Sequence, residues 1–439
     1  MPLLMRADAP GPVVGPTITI LTLLAFALAH ATPALAHDDD DEPPIDNPAV
    51  PPGALADPLS RLTVGGYTTL GAYWHDWQTQ PDRQHETDLE RLAVSLRYRL
   101  FTWLEVEAEI EFEHGGTGSA FEFERREEGG EFEFESEKSG EVVIEELEIE
   151  IEIADELLIR FGHLVVPVGF INNGNETPLR YFTVWRPEAE TAVLPAVWHD
   201  NSLQLTGRIN DGMFRYAAGV VRSLDSSRFS SANWIANGSA TTFELAHADD
   251  WGFCGMFQWR FATRGVLAVS GFVGNSRGNR PRRDMTQDAG VIVLNAHARW
   301  EEGPFIIRGS VVWGNVQNTE AITFFNQQLA NIVDSPGTPV GKTAIALFVE
   351  AGIDVLGLID RSLGWQVWLF GRLDYYDTML TTAGALSDDP RAERISFSAG
   401  VNVMFRPWLV FKAHYTQREL GLTANNVERT FALGAGLQF

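Results

Sequence analysis

Glu105, Glu107, Glu109, Glu111 and Glu113 put a carboxylate at every second position, and Glu146, Glu148, Glu150 and Glu152 repeat the pattern further on. In an extended chain successive side chains point to opposite faces. Each run therefore sets its acids on one side and Val106, Ile110, Ile149 and Ile151 on the other. An ionised row of this kind cannot face lipid, because each buried charge is costly. It must meet water or bases. Its chemistry is that of a fixed negative field, which draws cations and, across from a basic wall, filters ions. The same inward parity supplies the bases: Arg97, Arg99, Arg160, Arg208, Arg299 and Arg372, with Arg91, Arg215, Arg260, Arg308, Arg394, Lys412 and Arg418. Two other uses of the pattern stand beside filtering. Arg97, Arg99 and Arg160 flank the glutamates and pair with some of them across strands, and a polar interior is simply solvated.

Nothing in the chain points to catalysis. There is no Gly-x-Ser-x-Gly elbow, no His-Glu-x-x-His and no Gly-rich phosphate loop. His163, His199, His297 and His414 fall on separate strands and read as polar wall or girdle positions, since zinc needs three or four convergent ligands. The expectation is no enzyme, no catalytic residue, no metal site and no cofactor.

The elements that position the glutamates are strands. Alternating segments cover 62–74, 89–100, 104–113, 141–153, 156–167, 199–210, 213–223, 250–262, 265–275, 289–300, 304–316, 343–355, 363–377, 393–405, 408–418 and 428–439. Each is close to the ~10 residues a tilted membrane strand needs. Short connections such as Asn210-Asp211-Gly212 and Glu301-Glu302-Gly303 carry turn residues, whereas 114–140, 168–198, 224–249, 317–342 and 378–392 are long. That alternation predicts an all-β fold: a transmembrane antiparallel up-and-down barrel of about 16 strands, with short turns at one end and long loops at the other. Rows such as Leu92, Val94, Leu96, Tyr98 and Leu100 face lipid, and Trp74, Trp300, Trp313, Trp365 and Trp408 suit interfacial girdles. Residues 121–137 alternate Phe and Glu around Gly129-Gly130 and read as a hairpin within a long external loop.

Residues 1–36 read as a signal peptide: Arg6, an apolar run from Ile18 to Ala29, then Ala34-Leu35-Ala36 for cleavage. Residues 37–60 are an acidic and Pro-rich tail opening on HDDDDE, which lacks the spaced ligands of a calcium loop. The barrel then takes 61–439. One cysteine, Cys254, permits no internal disulfide and reads as a small packing residue. A net charge of −26 argues against nucleic acid as a partner. Between Glu105 and Glu156 alone lie 21 acidic and 3 basic residues, which solvate rather than bind by default.

The last strand alternates Phe431, Leu433, Ala435 and Leu437 with small or polar residues and ends on Phe439. It resembles the closing strand of bacterial outer-membrane proteins, which the outer-membrane assembly machinery recognises. The run from Arg160 to Gly207 has the order strand, Pro167-Val168-Gly169, loop, Arg186-Pro187-Glu188, Leu194-Pro195, Trp198-His199-Asp200. It resembles the bacterial porin family that includes the phosphate-selective porins. The resemblance implies a homotrimer in the bacterial outer membrane, in contact with membrane lipids and lipopolysaccharide. It also implies that the loop near 168–198 constricts the channel, with Asn172, Asn173, Glu176, Arg180, Arg186 and Glu188 facing small polar solutes or ions. Phosphate-selective members rely on arginine ladders and loop lysines. Here a glutamate wall stands instead, and the loop holds no lysine. The first reading is thus passive diffusion of ions and small polar solutes. The alternatives are a substrate-specific channel for anions such as phosphate or for divalent metals, or an outer-membrane barrel enzyme.

Overall fold

A computed structural model describes residues 58–116, 121–128, 131–138, 140–239, 245–261, 264–329, 335–360, 364–405 and 407–439, with backbone alone for 121–128 and 131–138. The signal peptide expected over 1–36 and the tail up to residue 57 lie outside them.

The strands are β1 (Leu62–Trp77), β2 (Glu86–Phe101), β3 (Leu104–Glu113), β4 (Phe121–Glu128), β5 (Glu131–Lys138), β6 (Glu141–Ala154), β7 (Leu157–Val165), β8 (His199–Ile209) and β9 (Phe214–Arg222). They continue with β10 (Trp251–Phe261), β11 (Gly265–Asn275), β12 (Gly290–Glu302), β13 (Phe305–Val316), β14 (Thr343–Asp354), β15 (Gln366–Thr381), β16 (Glu393–Phe405), β17 (Leu409–Leu420) and β18 (Val427–Gln438). Sixteen of them close an all-antiparallel barrel in which sequence neighbours pair. β4 and β5 form a separate hairpin between β3 and β6, as their alternation predicts. The ring closes where β1 meets β18, from Tyr67 opposite Gln438 to Trp77 opposite Glu428. The backbones of Gly66 and Phe439 exchange two further hydrogen bonds of 2.9 Å there. Closure leaves no unpaired edge, which a lipid-facing sheet requires.

Side-chain parity holds around the ring. Trp251, Phe253, Phe257 and Trp259 point outward and are exposed, while Gly252, Cys254 and Gln258 are buried. The girdle candidates Trp74, Trp300, Trp313, Trp365 and Trp408 are all exposed. No described helix is long and apolar enough to cross a membrane. At one turn Asn210, Asp211 and Gly212 take φ of 56, 54 and 79°, a geometry these residue types tolerate best.

Three features depart from the sequence expectation. Connection length does not sort perfectly: 355–365 joins β14 to β15 at the turn end, whereas 421–426 is short at the loop end. A β-bulge interrupts β6, where Glu109 pairs with Glu146 but Ile110 with Ile144. Glu145 is the extra residue, and it turns inward beside Glu146. Finally, the interior is not polar throughout. Phe272, Val291, Val293, Val312 and Phe348 face inward from β11 to β14 and are buried in an apolar core. Their partners come from the connections: Val166, Phe170, Leu194 and Trp198 from 166–198, and Phe229, Trp234 and Ile235 from 223–250. An inserted loop buries its own apolar residues, and the wall beneath it must match.

Candidate functional site

The glutamates of β3 and β6 stand on neighbouring strands and face the interior. Glu105, Glu107 and Glu109 lie opposite Glu150, Glu148 and Glu146. Like charges directly opposite each other repel, and the flanking strands supply the compensation. Arg97 and Arg99 on β2 reach Glu105 at 3.0 Å each, and Arg97 reaches Glu107 at 2.8 Å. On β7, Arg160 lies 2.6 Å from Glu148, 3.6 Å from Glu150 and 3.7 Å from Glu146. Arg91 spans Glu111 at 2.5 Å and Glu113 at 2.7 Å. Carboxylates still outnumber guanidiniums on this wall. Glu152 sits at the turn end, partly exposed.

The other arginines are placed differently. Arg208 pairs in register with Arg215, and Arg299 with Arg308, near the turn end. Arg372, expected on the pore wall, is wholly buried under the inserted loop. Its Nε meets Asp374 at 2.7 Å, and it also contacts Thr183.

The loop 166–198 lies inside the barrel against β11–β17. A loop in such a place must satisfy its backbone polar groups without a strand partner, and wall side chains do this. Gly169 N–H donates to Ser270 Oγ (3.1 Å), Phe182 N–H to Glu350 (3.1 Å), Val184 N–H to His414 Nε2 (3.0 Å) and Ala189 N–H to Asp374 (3.2 Å). In return Lys412 Nζ donates to the carbonyls of Tyr181 (2.9 Å) and Thr183 (2.7 Å). His414 is therefore a loop anchor, not a girdle residue. His163 and His199 are stacked and buried, and His297 packs edge-on to Phe170.

Within the loop the expected constriction residues divide. Asn172 is buried and braces the loop from within: its Nδ2 donates to the Val168 and Pro195 carbonyls at 2.7 and 3.0 Å, and its Oδ1 accepts from Trp198 N–H at 2.9 Å. Asn173 bonds the Gly169 carbonyl. Arg180 is half-buried, its N–H on the Thr177 carbonyl. Arg186 crosses to β1, donating to Tyr67 Oη and to the Ala196 carbonyl at 3.0 Å each. Burial raises the Glu176 carboxyl, with Arg186 opposing. Glu188 opens the one-turn helix α1 (Glu188–Thr191) and accepts from Arg418 at 2.6 Å and Tyr376 Oη at 2.8 Å. Burial alone would raise its carboxyl, but Arg418 and Arg394 outweigh that and hold it at about 2. Burial raises Glu190 despite bonds from Ile171 and Phe170 N–H and from Ser310.

The loop also comes within electrostatic reach of the glutamate wall, since Glu111 and Glu107 act on Glu176, and Glu111 and Glu148 are buried there. At the loop end, a cavity of about 480 Å3 lies between 166–198 and the strands around the closing seam. Tyr73, His75 and Trp77 of β1 line it with Glu86, Asp88 and Glu90 of β2. Trp185 and Arg186 face them from the loop. Sequence reading passed over Tyr73, His75 and Trp77, although they share the inward parity of β1. Among the described residues no three His, Cys, Asp or Glu side chains converge to hold a metal.

No protein-family model matches the chain. It is 22% identical over 362 residues to an uncharacterized protein of Aquifex aeolicus (strain VF5), which spans 82% of this chain and 76% of that one. Among solved structures it is similar to a loop L8 deletion mutant of OmpT, an outer membrane protein of Vibrio cholerae, at a TM-score of 0.50 and 12% identity over 86% of this chain and 100% of that one. It is similar as well to OmpF of Salmonella typhi in complex with daunomycin, at a TM-score of 0.50 and 14% identity over 86% of this chain and 97% of that one. At these identities the likeness is one of fold, and the fold is that of an outer-membrane β-barrel.

Proposed function

We propose that the chain is a porin of the bacterial outer membrane that passes ions and small polar solutes, with cations preferred. The observation that carries this is the placement of Glu105–Glu113 and Glu146–Glu152 on adjacent inward faces beside an anchored loop. From Glu105 to Glu113 the row runs about 26 Å along β3 at ~3.3 Å per residue, comparable to the ~30 Å hydrocarbon thickness. Glu105, Glu107, Glu109, Glu111, Glu113, Glu146, Glu148, Glu150 and Glu152, with Arg97, Arg99 and Arg160, line the route; Glu176, Arg180, Arg186 and Glu188 bound it from the loop. Arg208 and Arg299 flank its turn-end mouth. The glutamate excess disfavours phosphate and other anions. Export by way of residues 1–36, cleavage after Ala36 and assembly as a homotrimer complete the reading, which assigns no catalytic step. Reversal potential in a KCl gradient across a planar bilayer tests it. A cation-signed potential is expected, and an anion-signed one overturns the preference. Failure to conduct overturns the channel itself.

A further inference from the structure

We propose that the loop-end cavity binds a small organic cation, an amine carrying an aromatic or apolar body, before it enters the pore. The proposal rests on the channel reading and names the class of solute. At about 480 Å3 the cavity falls within the ~300–1,000 Å3 of small-molecule sites. Its charge balance is negative, and its bases are largely committed to the protein. Arg418 is shared by Glu188 and Glu428, and Arg91 by Glu111 and Glu113. Glu86 meets Arg83 at 2.9 Å and Asp88 meets His114 at 2.7 Å. Glu90 differs. Its carboxylate takes the Tyr73 hydroxyl, and among the described residues no base pairs with it.

Two further observations point to a cation. Trp77, which lines the cavity, already carries cations on its ring: the guanidiniums of Arg83 and Arg418 lie 4.3 and 4.9 Å from its centroid. Trp185 lines the same space, 5.9 Å from Tyr73, which carries Glu90 on its hydroxyl. Then His75, its side chain 6% exposed, has no hydrogen-bond partner at Nε2, and Glu86 stands 3.6 Å away. Its Nδ1 lies 3.2 Å from Thr430 Oγ1, and its Nε2 edge borders the cavity beside the Glu86 carboxylate. An ammonium group pairs with the second Glu90 oxygen, and its apolar body lies on Trp185.

The test uses the full protein in a planar bilayer with tyramine added on the loop side. Tyrosol, its neutral counterpart, and maltose are compared. Tyramine is expected to block the KCl current at concentrations about tenfold below tyrosol or maltose. Glu90→Gln and Trp185→Ala, each referred to its own KCl current, should each weaken that block by about tenfold. Equal block by tyramine and tyrosol, or stronger block by maltose, overturns the proposal and leaves the channel standing. If no KCl current is seen, the channel reading fails by itself. Calorimetric titration of the detergent-solubilised barrel with tyramine then decides the site: heat lost in Glu90→Gln supports it, and absence of heat in the unaltered protein overturns it.

Discussion

Glu188 Oε1 accepts from Arg418 Nη1 at 2.6 Å, and this contact ties the inserted loop to the strand beside the closing seam. Glu188→Gln removes the charge but leaves Arg418 with Glu428. The expected cost to loop anchoring is about 1.5–3 kcal/mol, as for other charged hydrogen bonds. It should appear as greater open-channel noise and faster proteolysis within 166–198. Noise equal to that of the unaltered channel argues against a latch.

The same carboxyl sets a pH dependence. Its folded value, about 2, lies below the ordinary 4.5. A depressed value means the ionised latch contributes above the ordinary value and is lost as pH falls through the folded one. Channel noise should therefore stay flat between about pH 7 and pH 5 and rise only below about pH 3. A rise near neutrality would assign the gating to another group.

Replacing Glu107, Glu109, Glu148 and Glu150 with Gln should shift the ion preference toward anions. Arg97 keeps Glu105, but Arg160 loses its 2.6 Å partner Glu148. The wall then keeps its four arginines with fewer acids, and the reversal potential should shift toward the anion side in a KCl gradient. An intact, heat-modifiable barrel with an unchanged potential makes these glutamates structural.

At the seam, an added Cβ on Gly66 would stand 2.2 Å from the Ala93 carbonyl oxygen and 2.9 Å from the Phe439 ring. Gly66→Ala and Phe439→Asp should both lower the yield of heat-modifiable barrel, seen on unheated gels. Normal yield in both would remove the seam as a folding constraint.

Asn172→Ala deletes three hydrogen bonds inside the loop and orphans Trp198 N–H. Leaving a buried donor unpaired costs about 1–3 kcal/mol. Larger, noisier conductance is expected with barrel yield unchanged, and unaltered conductance would show that the wall contacts alone hold the loop.

How much of this was legible in the sequence depended on period. The sixteen strands, the hairpin of 121–137 and the inward glutamates follow from alternation alone. The bulge was legible too and went unread: apolar residues sit at Val142 and Ile144, then at Leu147, Ile149 and Ile151, so the parity switches across Glu145-Glu146. Trp77 was lost because the first strand was expected to stop at Trp74, three residues short of its end. Phe272 and Val293 were not legible as lumen core. Their strands are apolar on both faces, and the face that meets lipid differs from the one that meets Trp198 only through contacts distant in sequence.

The strand lining of the loop-end cavity comes from β1, β2 and β3 on one side of the seam and from β17 and β18 on the other. The first and the last strands to leave the ribosome thus share one border of the solute's route. A nascent ring that still lacks its final hairpin is open there, and the loop then lacks the β17 and β18 wall it packs against. Until that last register is zipped, the cavity at the loop end lacks Glu428 and Thr430 from its lining.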